Sequence, residues 1–149
     1  TLPKDRISAF AACHDMRFAI EFDHYANLGA PLIAPKEAFS EAVHDQLEAS
    51  NILDYGMSIE ANTLSFAEPT SCVIPHRLAI AYALALANAA GSKRILLAGF
   101  DGYEHGDPLQ EKVQSVLSCY QKTDGVAAIT AVTPTTYSIP QGSIFSPEV

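Results

Sequence analysis

CVIPHRLAIAYALALANAAGSKRILLAGFDGYEHGD, residues 72–107, decides how the rest of the chain is read. From Arg77 to Ala90 nearly every residue is apolar, mostly alanine and leucine, which favour a helix strongly. A helix apolar on nearly all sides has to be covered on nearly all sides. On that reading Ala83→Asp buries an unpaired charge, and the variant is expected to be insoluble or molten. Gly91 supplies the residue that most easily takes the left-handed cap conformation. Ile95 to Ala98 is a continuous apolar run, the pattern of a strand buried on both faces. Gly99 and Phe100 end it, and Asp101 opens a polar loop. Loop, buried helix, tight turn, buried strand and acidic loop are the layout of an α/β sheet with a ligand crevice at the strand's carboxyl end.

Toward the amino terminus, Ile7–Cys13 (ISAFAAC) reads as a short buried strand. Phe18–Tyr25 (FAIEFDHY) alternates like a strand and also fits a short helix. Pro31–Ala34 is a strand candidate stopped by Pro35. Lys36–Ser50 reads as a helix, with Ala38, Phe39, Ala42, Val43 and Leu47 on one face. Asn51–Pro75 is β-like and irregular, with Met57–Ile59 expected to pair with Leu64–Phe66. Beyond the central unit, Asp107-Pro108-Leu109-Gln110 is a helix start, with an Asp cap and Pro at the first position. That helix runs to about Gln121, with Leu109, Val113, Val116, Leu117 and Tyr120 inward. Val126–Val132 is a further buried strand, and Tyr137–Ile139 and Ser143–Phe145 are candidate edge segments. The alternation predicts a Rossmann-like, mostly parallel sheet with helices on both faces.

The length of 149 residues predicts a single domain that buries roughly 70% of its unfolded surface. A net charge of −8 argues against nonspecific nucleic-acid binding, which needs basic surface to neutralise phosphate. Cys13, Cys72 and Cys119 are odd in number and lack CxxC spacing, so free, mostly buried thiols in a cytoplasmic protein are expected. The apolar run 78–90 is too short for a membrane span of about 20 residues. The chain begins at Thr1 rather than Met, which reads as processing or as a piece of a longer protein. No GxGxxG or GxxxxGK[ST] occurs. Either the sheet does not bind nucleotide phosphates in that way, or the strand carrying the loop lies upstream of Thr1.

Three clusters are candidates for chemistry. Asp101, Tyr103, Glu104, His105 and Asp107 form an acidic loop. Asp101 is placed to accept from ligand hydroxyls and His105 to act as a base; Asp101, His105 and Asp107 also make a metal reading, and the alternative is a capping Asp107 among solvated neighbours. His14, Asp15 and Arg17 follow the first strand, where Arg17 suits a phosphate or carboxylate, or else a surface ion pair with Asp15. Cys13 beside His14 reads as a buried thiol rather than a nucleophile, because neighbours in a strand face opposite ways. His76 and Arg77 begin the central helix, whose free N–H groups favour an anion, with Thr70 and Ser71 nearby; simple capping is the alternative.

ACHDMR (12–17), PLIAP (31–35), LDYG (53–56), AIAYALALANAAG (79–91), RILLAGFDGY (94–103), Asp107-Pro108 with Gln110, and TPTTYSI (133–139) together resemble one family. It is the carboxyl-terminal domain attached to some bacterial HMG-CoA-lyase-like aldolases found with surface-polysaccharide genes. The resemblance implies an aldolase barrel, with a divalent metal, elsewhere in a longer chain; this stretch itself implies no cofactor. Gly99, Phe100, Asp101 and Tyr103 are also similar to the Gly-x-Asp segment of bacterial sialyltransferases and motility-accessory glycosylation proteins, where it helps form a CMP-sugar site. The loop that carries the sialyltransferase histidine has no room between residues 108–121 and 126–132. The expected function is therefore binding of a nucleotide sugar or sugar phosphate through Arg17, His76, Arg77, Asp101, Tyr103 and His105. The rivals are a non-catalytic module that assembles or dimerises the aldolase, and a stand-alone glycosyltransferase-like enzyme. The expected partners are the ligand, the upstream aldolase domain and, for the assembly reading, a second copy.

Overall fold

The computed structural model describes residues 6–27, 29–48, 52–66, 68–104 and 106–145. The fold is α/β, and the seven named strands pair only in parallel. β1 (Phe10–Ala11), β2 (Leu32–Ala34) and β3 (Ile52–Asp54) form one sheet in that order. β4 (Gly56–Ile59) pairs with β5 (Ser71–Ile74), and β6 (Arg94–Leu97) with β7 (Ala128–Ala131). The parallel character is as expected, but the pairing is divided among three small sheets.

Tyr55 is where two of them meet. Its N–H donates to the Ala34 carbonyl (3.3 Å), and the next N–H, of Gly56, donates to the Thr70 carbonyl (2.7 Å). One extended run, 52–59, thus hands over from β2 to β5. The expected pairing of Met57–Ile59 with Leu64–Phe66 does not form. β4 takes β5 instead, which lies at the end of the stretch 51–75 that reads as β-like and irregular, and Ser65 bridges Val73 of β5 from an antiparallel direction.

The central helix, α4, spans Ala79–Ala89. Gly91 ends it at φ 76°, with its N–H on the Asn88 carbonyl (2.8 Å) and that of Ser92 on Ala87 (3.0 Å). Its burial corrects the expectation of cover on all sides. Ala81, Tyr82, Leu84 and Ala85 are buried, whereas Ala79, Ala83 and Ala89 are exposed. An alanine-rich sequence keeps its helix with one face in water, because alanine's preference is local and needs no burial. β6 is corrected in the same way. Ile95 and Leu97 pack on the core, while Arg94, Leu96 and Ala98 are exposed.

α5 (Pro108–Lys122) starts as expected, with the Asp107 carboxylate accepting from the Leu109 N–H at 2.8 Å. Val113, Val116, Leu117 and Tyr120 are buried. At the carboxyl end the edge contact falls at Gln141, which bridges Ala131, rather than at 137–139.

In the amino-terminal half, 18–25 is helical: α1 (Asp15–Ile20) and α2 (Phe22–Ala26). The helix expected over 36–50 is divided into two 3-10 turns, Lys36–Ala38 and Glu41–Val43, and α3 (His44–Glu48). Phe39 and Ser40 are extended between the turns, and the Lys36 N–H is held by the Asp54 carboxylate (3.0 Å). Phe39, Val43 and Leu47 are still buried, while Ala42 is exposed.

Two cores result. The larger joins α4, α5 and the strands around Tyr55, Ile74, Tyr82 and Tyr120. The smaller gathers Phe18, Leu32, Phe39, Val43, Leu47 and Ile52. No helix among the described residues is long and apolar enough to cross a membrane.

Candidate functional site

A parallel strand delivers its next residues to its carboxyl edge, and β1 and β6 both end in polar residues. The two ends are built differently.

The β1 end opens into a cavity of about 350 Å³, lined by β1 itself, Ala12, Cys13, His14, Arg17, Glu21, His24, Tyr25 and the first residue of α4, Ala79. α1 and α2 present Arg17, Glu21 and Tyr25 at successive four-residue steps, the spacing at which helical side chains meet. Arg17 Nε donates to both Glu21 oxygens at 3.2 Å, and the Tyr25 hydroxyl donates to Glu21 Oε2 at 2.9 Å. The Tyr25 hydroxyl and the Arg17 guanidinium hold the Glu21 carboxyl below the usual carboxylate range. Partial burial, then Glu21, raises the Tyr25 phenol. Arg17 therefore pairs with Glu21 and not with Asp15. The Asp15 carboxyl is lowered first by the Ser40 hydroxyl and next by the Met16 N–H. Arg17 is held to Glu21 through Nε, and the Tyr25 hydroxyl also lies beside its guanidinium.

Cys13 is 1% exposed, and burial pushes its thiol up to about 11 against the opposing charge of Arg77. A protonated thiol is a poor nucleophile. Arg77 itself is turned to the protein, with Nη2 donating to the Ala38 carbonyl at 2.8 Å. His76 and Arg77 are half-buried and outside the cavity lining. Leu78 makes no side-chain cap bond, so the capping alternative is not seen at the start of α4, and Ser71 is taken up in β5.

The β6 end is closed by a neighbour. Gly99 N–H donates to Thr133 Oγ1 (2.9 Å), and the Asp101 carbonyl accepts from Thr136 N–H (2.8 Å) and Thr136 Oγ1 (3.1 Å). Gln110 of α5 joins both sides, accepting from Tyr103 N–H and donating to Thr136 Oγ1, each at 2.9 Å. One turn on, Gln114 accepts from Ser138 N–H at 2.8 Å. Phe100 and Tyr137 pack with ring centroids 5.0 Å apart. The two segments AGFDGY and TPTTYS, far apart in sequence, are thus bonded to each other. The side chains of Asp101 and Tyr103 are exposed and do not line the β1 cavity. Asp107 is occupied as the α5 cap, and His105 lies outside the described residues. Among the described residues no three His, Cys, Asp or Glu side chains converge as a metal site would require.

A second cavity of about 350 Å³ lies between Asn62 and α5, beside Ser115, Ser118, Cys119, Lys122 and Thr123. Its polar groups are engaged within the protein: the Cys119 thiol donates to the Asn62 carbonyl, the Thr123 hydroxyl donates to the Cys119 carbonyl, and the Ser118 hydroxyl accepts from the neighbouring Gln114 amide.

Sequence reasoning named Arg17 and His14 but missed Glu21, His24 and Tyr25. The available signal was the 17/21/25 spacing, which appears once 18–25 is read as helix. Gln110 is legible in the sequence only as part of the helix start and of the resembling motif, and Gln114 not at all, because an amide on an amphipathic helix looks like solvated surface.

Comparison with protein-family models, with curated proteins and with solved structures finds no match.

Proposed function

We propose that the chain is a binding domain for a nucleotide sugar or sugar phosphate, acting in the cytoplasm in bacterial surface-polysaccharide synthesis beside an HMG-CoA-lyase-like aldolase domain. The observation that carries the binding part is the β1 cavity, which gathers Arg17, His14, His24 and Tyr25 at a strand's carboxyl end. Guanidinium and imidazole suit phosphate, and a ring suits a sugar or base face. Ala79, the first residue of α4, is on the same wall, and a helix start without a side-chain cap favours an anion nearby. The motif resemblance supports the glycan setting and the aldolase partner.

Titration calorimetry with CMP- and UDP-sugars tests this. Weak, salt-sensitive binding is expected, diminished in Arg17→Ala with the fold retained. Asp101→Ala reports whether the β6 loop adds to the site; from its place outside the cavity lining, little change is expected. No heat with any ligand at millimolar concentration overturns the reading.

A second reading, an assembly module, is favoured by one observation. Met16 and Ile20 lie four residues apart on α1 and are 75% and 79% exposed. Sedimentation of the chain alone and with the aldolase domain tests it, and a monomer that stays separate in both sinks it.

A further inference from the structure

We infer that the β1 cavity holds the sugar-phosphate portion of its ligand and that Glu21 is the acceptor that reads the sugar's hydroxyls; this rests on the function proposed above. Glu21 is tied down from both sides, by Arg17 Nε on both oxygens and by the Tyr25 hydroxyl on Oε2. Those bonds keep the carboxylate ionised. An ionised carboxylate only accepts, and its two oxygens offer about four lone-pair sites. Three contacts leave capacity, chiefly on Oε1. A ligand group beside Glu21 must therefore donate and carry no negative charge, which describes a hydroxyl. A phosphate is repelled from that end and drawn to the guanidinium of Arg17, which lines the same cavity.

The cavity is thus polarised along one helical turn, with an anion at Arg17 and His14 and hydroxyls at Glu21. Neighbours at that spacing stand about 5–6 Å apart at Cβ. A sugar carrying its phosphate presents both kinds of group over such a span. Volume narrows the choice further. At about 350 Å³ the cavity is at the small end of ligand pockets, which run to ~1,000 Å³. It suits one sugar phosphate better than a whole nucleotide sugar, whose base would lie outside.

The test compares glucose 1-phosphate, methyl phosphate and uridine monophosphate as calorimetric probes of the wild type, Glu21→Gln and Arg17→Ala. In the wild type glucose 1-phosphate is expected to bind about tenfold tighter than methyl phosphate, the size of one charge-assisted hydrogen bond. Glu21→Gln should close that gap while leaving methyl phosphate binding equal or tighter, because Arg17 loses its neutralising partner. Tyr25→Phe, which keeps the ring and removes one of the bonds that orient the carboxylate, should narrow the gap by a smaller factor with an unchanged circular dichroism spectrum. A gap that is absent in the wild type, or undiminished in Glu21→Gln, overturns the assignment of Glu21. Uridine monophosphate, a ribose phosphate with a base attached, should gain nothing from its base; binding clearly tighter than that of glucose 1-phosphate overturns the choice of ligand portion. If methyl phosphate binds and needs Arg17, the parent reading stands whatever becomes of Glu21; if no phosphate binds at all, both fall.

Discussion

The ends of β1 and β6 look alike in sequence and differ in the structure. Each is a short apolar run that breaks into charged and aromatic residues, Cys13-His14-Asp15 in one and Phe100-Asp101-Gly102-Tyr103 in the other. At β1 the following residues turn at once into a helix, which lays Arg17, Glu21 and Tyr25 along a cavity. At β6 the loop meets the loop after β7, because parallel neighbours end on the same edge, and the two exchange hydrogen bonds. The polar groups of one end face solvent space, and the main-chain groups of the other are consumed within the protein. The difference teaches that polar residues at a strand end mark a site only where the segment after the neighbouring strand leaves them open: β1 also has a parallel neighbour, β2, but the residues after β2 reach Asp15 through Ser40 and leave Arg17 on the cavity.

The two ends also rest on different forces, and mutations should separate them. The β1 end rests on packing. Phe18 is fully buried under α1 and α2, with its ring against Phe22, Tyr25 and Phe39 at 5.5–5.8 Å. Phe18→Ala should cost about 3–5 kcal/mol by leaving a cavity. It should abolish phosphate binding while amide exchange at Tyr103 stays near wild type. Equal loosening of both ends would show that they form one cooperative unit.

The β6 end rests on polar staples and on one glycine. Gly102 is at φ 115°, and a Cβ there would run into Thr136 Oγ1. Gly102→Ala combines a backbone region unfavourable to alanine with that clash, and should cost about 2–4 kcal/mol. Faster exchange of the Tyr103 amide is expected, with the β1 cavity unaffected. A wild-type melting temperature would mean that the loop adapts freely.

Alkaline pH should produce a more graded loss, located beneath both sheets that meet at Tyr55. Burial pushes Cys13 up to about 11, and Cys72 and Tyr55 up to about 12. An acid whose folded value is raised favours the fold fully below its unfolded value, here 9.0 for the thiols, and loses that contribution as pH climbs through the folded value. Thermal melts should therefore show no loss from these groups below about pH 9 and fall steadily above it. A flat profile to about pH 11 would contradict the burial of these groups.

The smallest effect is expected at Ala83, on the exposed face of α4. Ala83→Asp should cost less than about 1 kcal/mol, a matter of helix propensity alone. Aggregation of that variant would restore the reading in which α4 is covered all round.

Much of the fold could be read locally. The stop of α4 at Gly91 and the start of α5 at Asp107-Pro108 follow from single residues whose backbone preferences suffice. The inward face of α5 follows from period. The broken helix after Pro35 could not be read in that way. Phe39, Val43 and Leu47 have helical spacing and are buried, yet Asp54 holds the Lys36 N–H and Ser40 lies beside Asp15, and those partners are distant in the chain. The stretch 51–75 reads as β-like, but the bounds of β5 and its pairing with β4 are not legible there, because a strand of four residues is defined by its neighbour more than by itself.

The candidate site divides in the same way. His14 and Arg17 were legible as polar residues following an apolar run. Glu21 and Tyr25 became partners only when tertiary packing on Phe18 settled 18–25 as helix. Residue type and short-range spacing are properties of the sequence, and from them came the α/β class, the helix caps and the presence of an arginine at a strand end. Which strand end stays open, which face of α4 meets water and which carboxylate holds Arg17 depend on contacts between distant segments. Those contacts are decided by the free energy of the whole packed chain, and no local window contains it.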